Sequence, residues 1–238
     1  MFWLNKLRSK SPSRHSPPES VMRYFQQSSP PKQTPIEQLR FVALDAETTG
    51  LKSKSGDRIL SIGAVGIKHL RVDLSDRFFA VLNPERASLP ETVKVHLITP
   101  EESRRAPAPE LVMPKVLSFI GADVILGHHI RFDKAFLDNE MLRLYGKPLY
   151  NIVVDTAELA YALDATLRSS ESGMQSPQEQ QKYALDALAQ RYGIETAARH
   201  DAWSDALCAA QLGIIFLRKL SVQGVRTLAD LQLLTRTM

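Results

Sequence analysis

Apolar positions along this chain come in two successive styles. From residue 39 to 83 they form three short β-rich runs, LRFVALD (39–45), RILSIGAVGI (58–67) and DRFFAVLN (76–83), the last closed by Pro84. Runs this close in sequence predict an antiparallel meander. Helical patterns then alternate with short strands. PELVMPKVLSFIG (109–121) reads as a helix that tolerates an internal proline, and VILGH (124–128) reads as a strand. FDKAFLDNEMLRLYG (132–146) is amphipathic, with Phe132, Phe136, Leu137, Met141, Leu142 and Leu144 apolar. IVVDT (152–156) reads as a strand leading into AELAYAL, two helices follow at about 182–192 and 201–220, and TLADLQLLTR makes a last short one. A meander followed by alternating helices and strands predicts an α/β fold of three layers, a mixed central sheet flanked by helices.

The polar stretches set the expected boundaries. Residues 1–36 are rich in Ser, Pro, Gln and Arg over most of their length and predict a disordered basic arm, with a short helical turn around VMRYF. The main domain is expected over 37–220, interrupted at 164–181 (DATLRSSESGMQSPQEQQ) by a mobile loop, and 221–238 make a short helical extension. No internal repeat is visible.

Charge changes the picture less than a pI of 9.2 suggests. Residues 1–40 carry seven Lys or Arg against two Asp or Glu, while the remaining 198 carry 23 against 24. The excess basicity lies in the arm, which serves either as a nucleic-acid contact or as a solubilising tail. A single cysteine, Cys208, excludes an internal disulfide and fits a reducing cytoplasm, the expected location. No apolar run approaches the ~20 residues of a membrane span, so no membrane partner is expected. The chain also lacks a GxxxxGK loop, zinc spacing and a dinucleotide fingerprint.

The acids that end the first strand are the strongest chemical signal. Asp45 and Glu47 stand two apart and so project from one face of an extended segment. Like charges so placed repel, unless they share a proton, hold a divalent cation or lie solvated in a surface turn. Asp133 opens a strong amphipathic helix, and Asp205 falls in the first turn of a long one with Asp201 as its cap. His200 precedes Asp205 by five residues, too far round to share a helical face, and belongs on the entering loop.

These residues resemble the motifs of the DEDDh-type 3′–5′ exonucleases, similar to the epsilon proofreading subunit of bacterial DNA polymerase III. The family's DxETTGL stretch is DAETTGL at 45–51, its GHNxxFD stretch is GHHIRFD at 127–133, and its H…D pair is His200 with Asp205. VDT at 154–156 and YALDALAQRYGI at 183–194 also follow the pattern, and the likeness spans about 39–216. One departure stands out: His129 replaces the family asparagine.

The resemblance implies an RNase H-like fold and a site where Asp45, Glu47, Asp133 and Asp205 hold two Mg²⁺ or Mn²⁺ ions. It makes His200 the general base and Thr48, Thr49, Leu51, His128 and Phe132 substrate contacts. The implied reaction is hydrolysis at the 3′ end of single-stranded DNA, in proofreading or repair, beside a polymerase partner. A 3′–5′ exoribonuclease acting on RNA ends uses the same constellation, and a polymerase-associated binding module would keep the fold without the chemistry.

Overall fold

The computed structural model describes residues 16–86, 93, 96–165, 181–196 and 201–236. Its centre is β1 (Arg40–Thr48), whose FVAL segment is buried on both sides. β1 pairs antiparallel with β2 (Ile59–Lys68), and β2 pairs antiparallel with β3 (Arg71–Val81), as the meander predicts. On its other side β1 pairs in parallel with β4 (Val124–Gly127), which pairs in parallel with β5 (Val153–Asp155). The sheet therefore runs β3-β2-β1-β4-β5.

Alternation along the strands feeds two cores. Phe41, Ala43, Val65, Ile67 and Leu126 face α5 (Thr156–Ala165), α6 (Leu185–Tyr192), α7 (Ala202–Val222) and α8 (Leu228–Arg236). Val42, Leu44, Ile62, Ala64 and Ile125 face α3 (Pro109–Ile120) and α4 (Ile130–Tyr145). A short α2 (Pro100–Arg105), capped by the Thr99 hydroxyl, precedes α3. The three-layer mixed architecture is the one expected. Among the described residues, no helix is long and apolar enough to cross a membrane.

The expectation of a disordered arm over 1–36 is corrected for its second half. Glu19–Gln26 form a full helix, α1, packed on α3. Val21 and Tyr24, three residues apart and so on one face, are buried in the second core. The Tyr24 hydroxyl donates to Asn151 Oδ1 at 2.6 Å and accepts from the Tyr150 amide at 3.2 Å. Beyond α1 the chain bridges Pro35 to Thr227, while the Ile36 amide donates to the Arg226 carbonyl and the Leu228 amide to that of Thr34. Arm and C-terminal extension thus hold each other. Residues 1–15 of the expected arm, and 166–180 of the expected loop, lie outside the described residues, whereas Asp164 and Ala165 end α5.

Candidate metal centre

Three elements converge at the C-terminal end of β1. The parallel pairing with β4 covers only Phe41–Ala43, so that edge of β1 is open beyond it. Asp45 and Glu47 stand on the α7 side of the strand, opposite Gly63 and Ser61. The register shifts between Glu47 and Thr48, after which Thr48 pairs with Ile59 and the strand ends.

Asp205 comes from the first turn of α7. The Asp201 carboxylate caps this helix, accepting from the Ser204 amide at 3.1 Å and its hydroxyl at 2.9 Å. Gly63 lets the helix start lie directly on the strand, because a Cβ there would sit under 3.0 Å from the backbone of Ala202 and Trp203. Asp45, Glu47 and Asp205 consequently present carboxylate oxygens within 4.8 Å of one another.

Asp133, in the first turn of α4 and almost completely buried, lies beside this cluster, near Ala46 and Glu47, but outside the 4.8 Å group. Burial pushes its carboxyl well above the usual carboxylate range. Its own amide and that of Ala46 donate to it and oppose this shift, while the charges of Glu47 and Asp155 add to it. All the donors here are carboxylate oxygens, which suit a hard divalent cation, and a positive charge among them would relieve the repulsion.

The turn before α4 accounts for the exchanged asparagine. His129 takes left-handed backbone angles, φ 52° and ψ 33°. Asn, Asp and His are the non-glycine residues enriched there, so histidine preserves the turn. Its amide donates to Asp155 Oδ1 at 3.1 Å, and the same oxygen accepts from the Ala157 amide at 2.9 Å. Asp155 thereby locks the entry of α4 and, with it, Asp133. Sequence reasoning passed over both Asp155 and Gly63 as site builders. Each had a signal: an acid closing an apolar strand, like Asp45, and a glycine inside a continuous apolar strand.

The other expected contacts are sorted by the structure. Leu51 is 77% exposed and Phe132 is 38% exposed, its ring 5.0 Å from that of Phe136. His128 Nδ1 lies 2.9 Å from the Thr156 hydroxyl, which ties it to the start of α5. Thr48 and Thr49 are buried: the Thr48 hydroxyl donates to the Gly50 carbonyl at 2.8 Å, and the Thr49 hydroxyl accepts from the Arg58 amide at 3.0 Å. Those side chains brace the turn that follows β1. Arg58 itself is clamped by buried Glu140, through Nε to Oε1 and through Nη2 to Oε2 at 3.0 Å. His200 lies outside the described residues.

A family model described as an exonuclease matches residues 42–212. The epsilon subunit of DNA polymerase III from Treponema pallidum is 32% identical over 176 residues, 74% of this chain and 75% of its own. An epsilon-like protein of that polymerase from Rhodobacter capsulatus is 34% identical over 197 residues. A PolC-type polymerase III from Caldanaerobacter subterraneus is 32% identical over 191 residues. These matches cover 82% and 80% of this chain but only 26% and 12% of those relatives. Among solved structures, E. coli exonuclease I in complex with a dT13 oligonucleotide superposes with a TM-score of 0.63 at 21% identity, over 79% of this chain and 44% of that one. Exonuclease X in complex with 5′ overhanging duplex DNA gives 0.57 at 20%, over 82% and 99%. The structural likenesses establish a shared fold.

Proposed function

This chain belongs to the exonuclease family, and from that premise we propose that it shortens single-stranded DNA from the 3′ end by metal-assisted hydrolysis of the phosphodiester bond. The observation that carries the reading is the meeting of Asp45, Glu47 and Asp205 within 4.8 Å, with buried Asp133 facing Glu47. The strand chemistry is supported by exonuclease I, solved with a single-stranded oligonucleotide. A role in proofreading or repair beside a polymerase, in the cytoplasm, is supported by relatives named as polymerase III subunits.

Asp45, Glu47, Asp133 and Asp205 would hold two Mg²⁺ or Mn²⁺ ions. Such ions, when bound, supply a reactive hydroxide near neutral pH and offset charge on the attacked phosphate and the departing oxygen. The protein residues divide the remaining work. His200 accepts the proton of the attacking water on an imidazole nitrogen, its unperturbed pKa of about 6.5 suiting that exchange. The backbone of the Thr48–Leu51 turn receives the terminal nucleotide, with exposed Leu51 against its sugar and base. Phe132 stacks on the adjacent base, and His128 supports the same pocket.

Labelled single-stranded DNA, duplex DNA and RNA, degraded side by side under Mg²⁺ and Mn²⁺ titration, test the reading. A 5′ label should yield a ladder that shortens from the 3′ end, fastest on single-stranded DNA, and Asp45→Asn should reduce it to background in a folded protein. Absence of metal-dependent degradation on all three substrates sinks the proposal.

A further inference from the structure

β3 is the outer edge of the sheet, and its side chains alternate between the two faces. Phe78 turns toward α3, its ring 5.8 Å from that of Phe119. Phe79 therefore turns the other way, onto the face that carries the acidic cluster. The register sets the separation, because Asp45 lies opposite Gly63 and Gly63 opposite Phe79, with the start of α7 resting on Gly63 between them. Two interstrand spacings place Phe79 about 10 Å across the sheet from Asp45, a distance a strand held at the cleavage site covers within a few nucleotides.

Phe79 is 51% exposed, which the fold does not require of a phenylalanine. It borders a groove of about 480 Å³ with Arg77, Asp201 and Trp203 among its lining residues. Trp203 is the second residue of α7, and its ring packs partly on the first core. The Arg77 guanidinium lies over that ring, 5.9 Å from its centroid. The Asp201 carboxylate also lines the groove, where it caps α7 by accepting from the Ser204 amide and hydroxyl. An exposed aromatic ring beside a guanidinium is what unpaired nucleic acid binds: a base stacks on the ring and the cation meets phosphate.

We propose that Phe79, Arg77 and Trp203 form a base-stacking subsite, where an unpaired nucleobase upstream of the cleaved 3′ end rests while the cleavage centre holds the terminus. The proposal rests on the exonuclease reading for its ligand. It favours nucleic acid over a protein partner because the groove lies on the sheet face that carries the acidic cluster, across the start of α7 from it, and joins an exposed aromatic ring to an exposed cation. Phe79 supplies the stacking surface, Trp203 the floor, and Arg77 a phosphate contact.

The test is binding of fluorescein-labelled oligo-dT to the full chain in EDTA, where hydrolysis does not interfere. Phe79→Ala should raise the Kd about fivefold or more, and Phe79→Trp should restore it. Arg77→Gln should weaken binding and reduce the slope of log Kd against log salt by about 0.7, the value for one phosphate on a single strand. Hydrolysis of the p-nitrophenyl ester of thymidine 5′-monophosphate, which fills only the cleavage site, should be unchanged in both variants. If Phe79→Ala binds oligo-dT within twofold of the wild type, the subsite is overturned, whatever the hydrolysis shows. If Phe79→Ala weakens binding while the wild type hydrolyses neither ester nor oligonucleotide with Mg²⁺ or Mn²⁺, the subsite stands and the exonuclease reading falls.

Discussion

Replacing Gly63 by alanine adds one methyl group on the strand opposite Asp45, under the start of α7, and should damage the metal centre. The new Cβ would lie under 3.0 Å from the Ala202 carbonyl carbon and oxygen and from the Trp203 nitrogen. All three are backbone atoms, so no side chain can swing aside. The start of α7 must instead retreat by roughly 1 Å to recover ordinary carbon–carbon separations. Overpacking of this kind costs about 1–3 kcal/mol, a fall in Tm of roughly 2–12 °C for a domain this size. Asp205 sits one turn into the same helix and moves with it, loosening the 4.8 Å cluster with Asp45 and Glu47. A displacement near 1 Å in a reacting constellation costs about a hundredfold in rate. The assay is paired: thermal unfolding in EDTA, then hydrolysis of a 5′-labelled oligonucleotide across a Mn²⁺ titration. Gly63→Ala should need more Mn²⁺ and reach a lower plateau. Wild-type metal dependence and rate in a folded Gly63→Ala protein would show that α7 does not position Asp205 through this contact.

Asp133→Asn should remove a buried, repelled carboxylate, raising the EDTA-state stability by about 1 kcal/mol and Tm by roughly 2–4 °C, while abolishing stabilisation by Mn²⁺; unchanged melting in both conditions would contradict it. His129→Asn should melt and turn over like the wild type, whereas His129→Val, β-branched at a left-handed position, should lose about 1–2 kcal/mol and slow hydrolysis. Burial holds the His96 imidazole below its ordinary pKa of 6.5, so the unfolded chain takes up the proton first. Its contribution to stability is therefore full above about pH 6.5 and lost as pH falls through the lower folded value. His96→Gln should flatten the decline in urea midpoint between pH 7 and 5, and parallel curves for the two proteins would refute this. Tyr24→Ala should cost about 3 kcal/mol or more, the range for a buried large aromatic, without altering turnover per folded molecule; a melting curve matching the wild type would mean α1 is not part of the folded unit.

Most of this arrangement was legible because its signals are local and periodic. The runs at 39–45, 58–67 and 124–128 are strands, and the apolar face of 132–146 is buried, because burial on a sheet imposes those patterns. The acids at 45, 47 and 205 stood out for the same reason, being charges where the pattern calls for core. The helix at Glu19–Gln26 was underestimated because only Val21 and Tyr24 of its eight residues are buried, and flanking Pro and Ser dominate the composition. It is held by Val21 and Tyr24 in the second core and by a hydroxyl bonded to Asn151, 127 residues away, which no sequence window contains. The roles of Gly63 and Asp155 were hidden similarly. Each acts through an element distant in sequence, the start of α7 for one and the turn before α4 for the other.

The outer strand β3 has one more consequence. Open strand edges invite pairing with other molecules, and charge or irregularity along them deters it. β3 carries Arg71, Asp73, Asp76 and Arg77, and its ladder breaks where Gly66 pairs with Asp73 but neighbouring Val65 pairs with Arg77, leaving 74–76 looped out. An exposed phenylalanine on a straight, uncharged edge would seed sheet-to-sheet aggregation. On this one, Phe79 stays open to solvent while the charges and the looped-out segment of the strand that bears it work against strand addition.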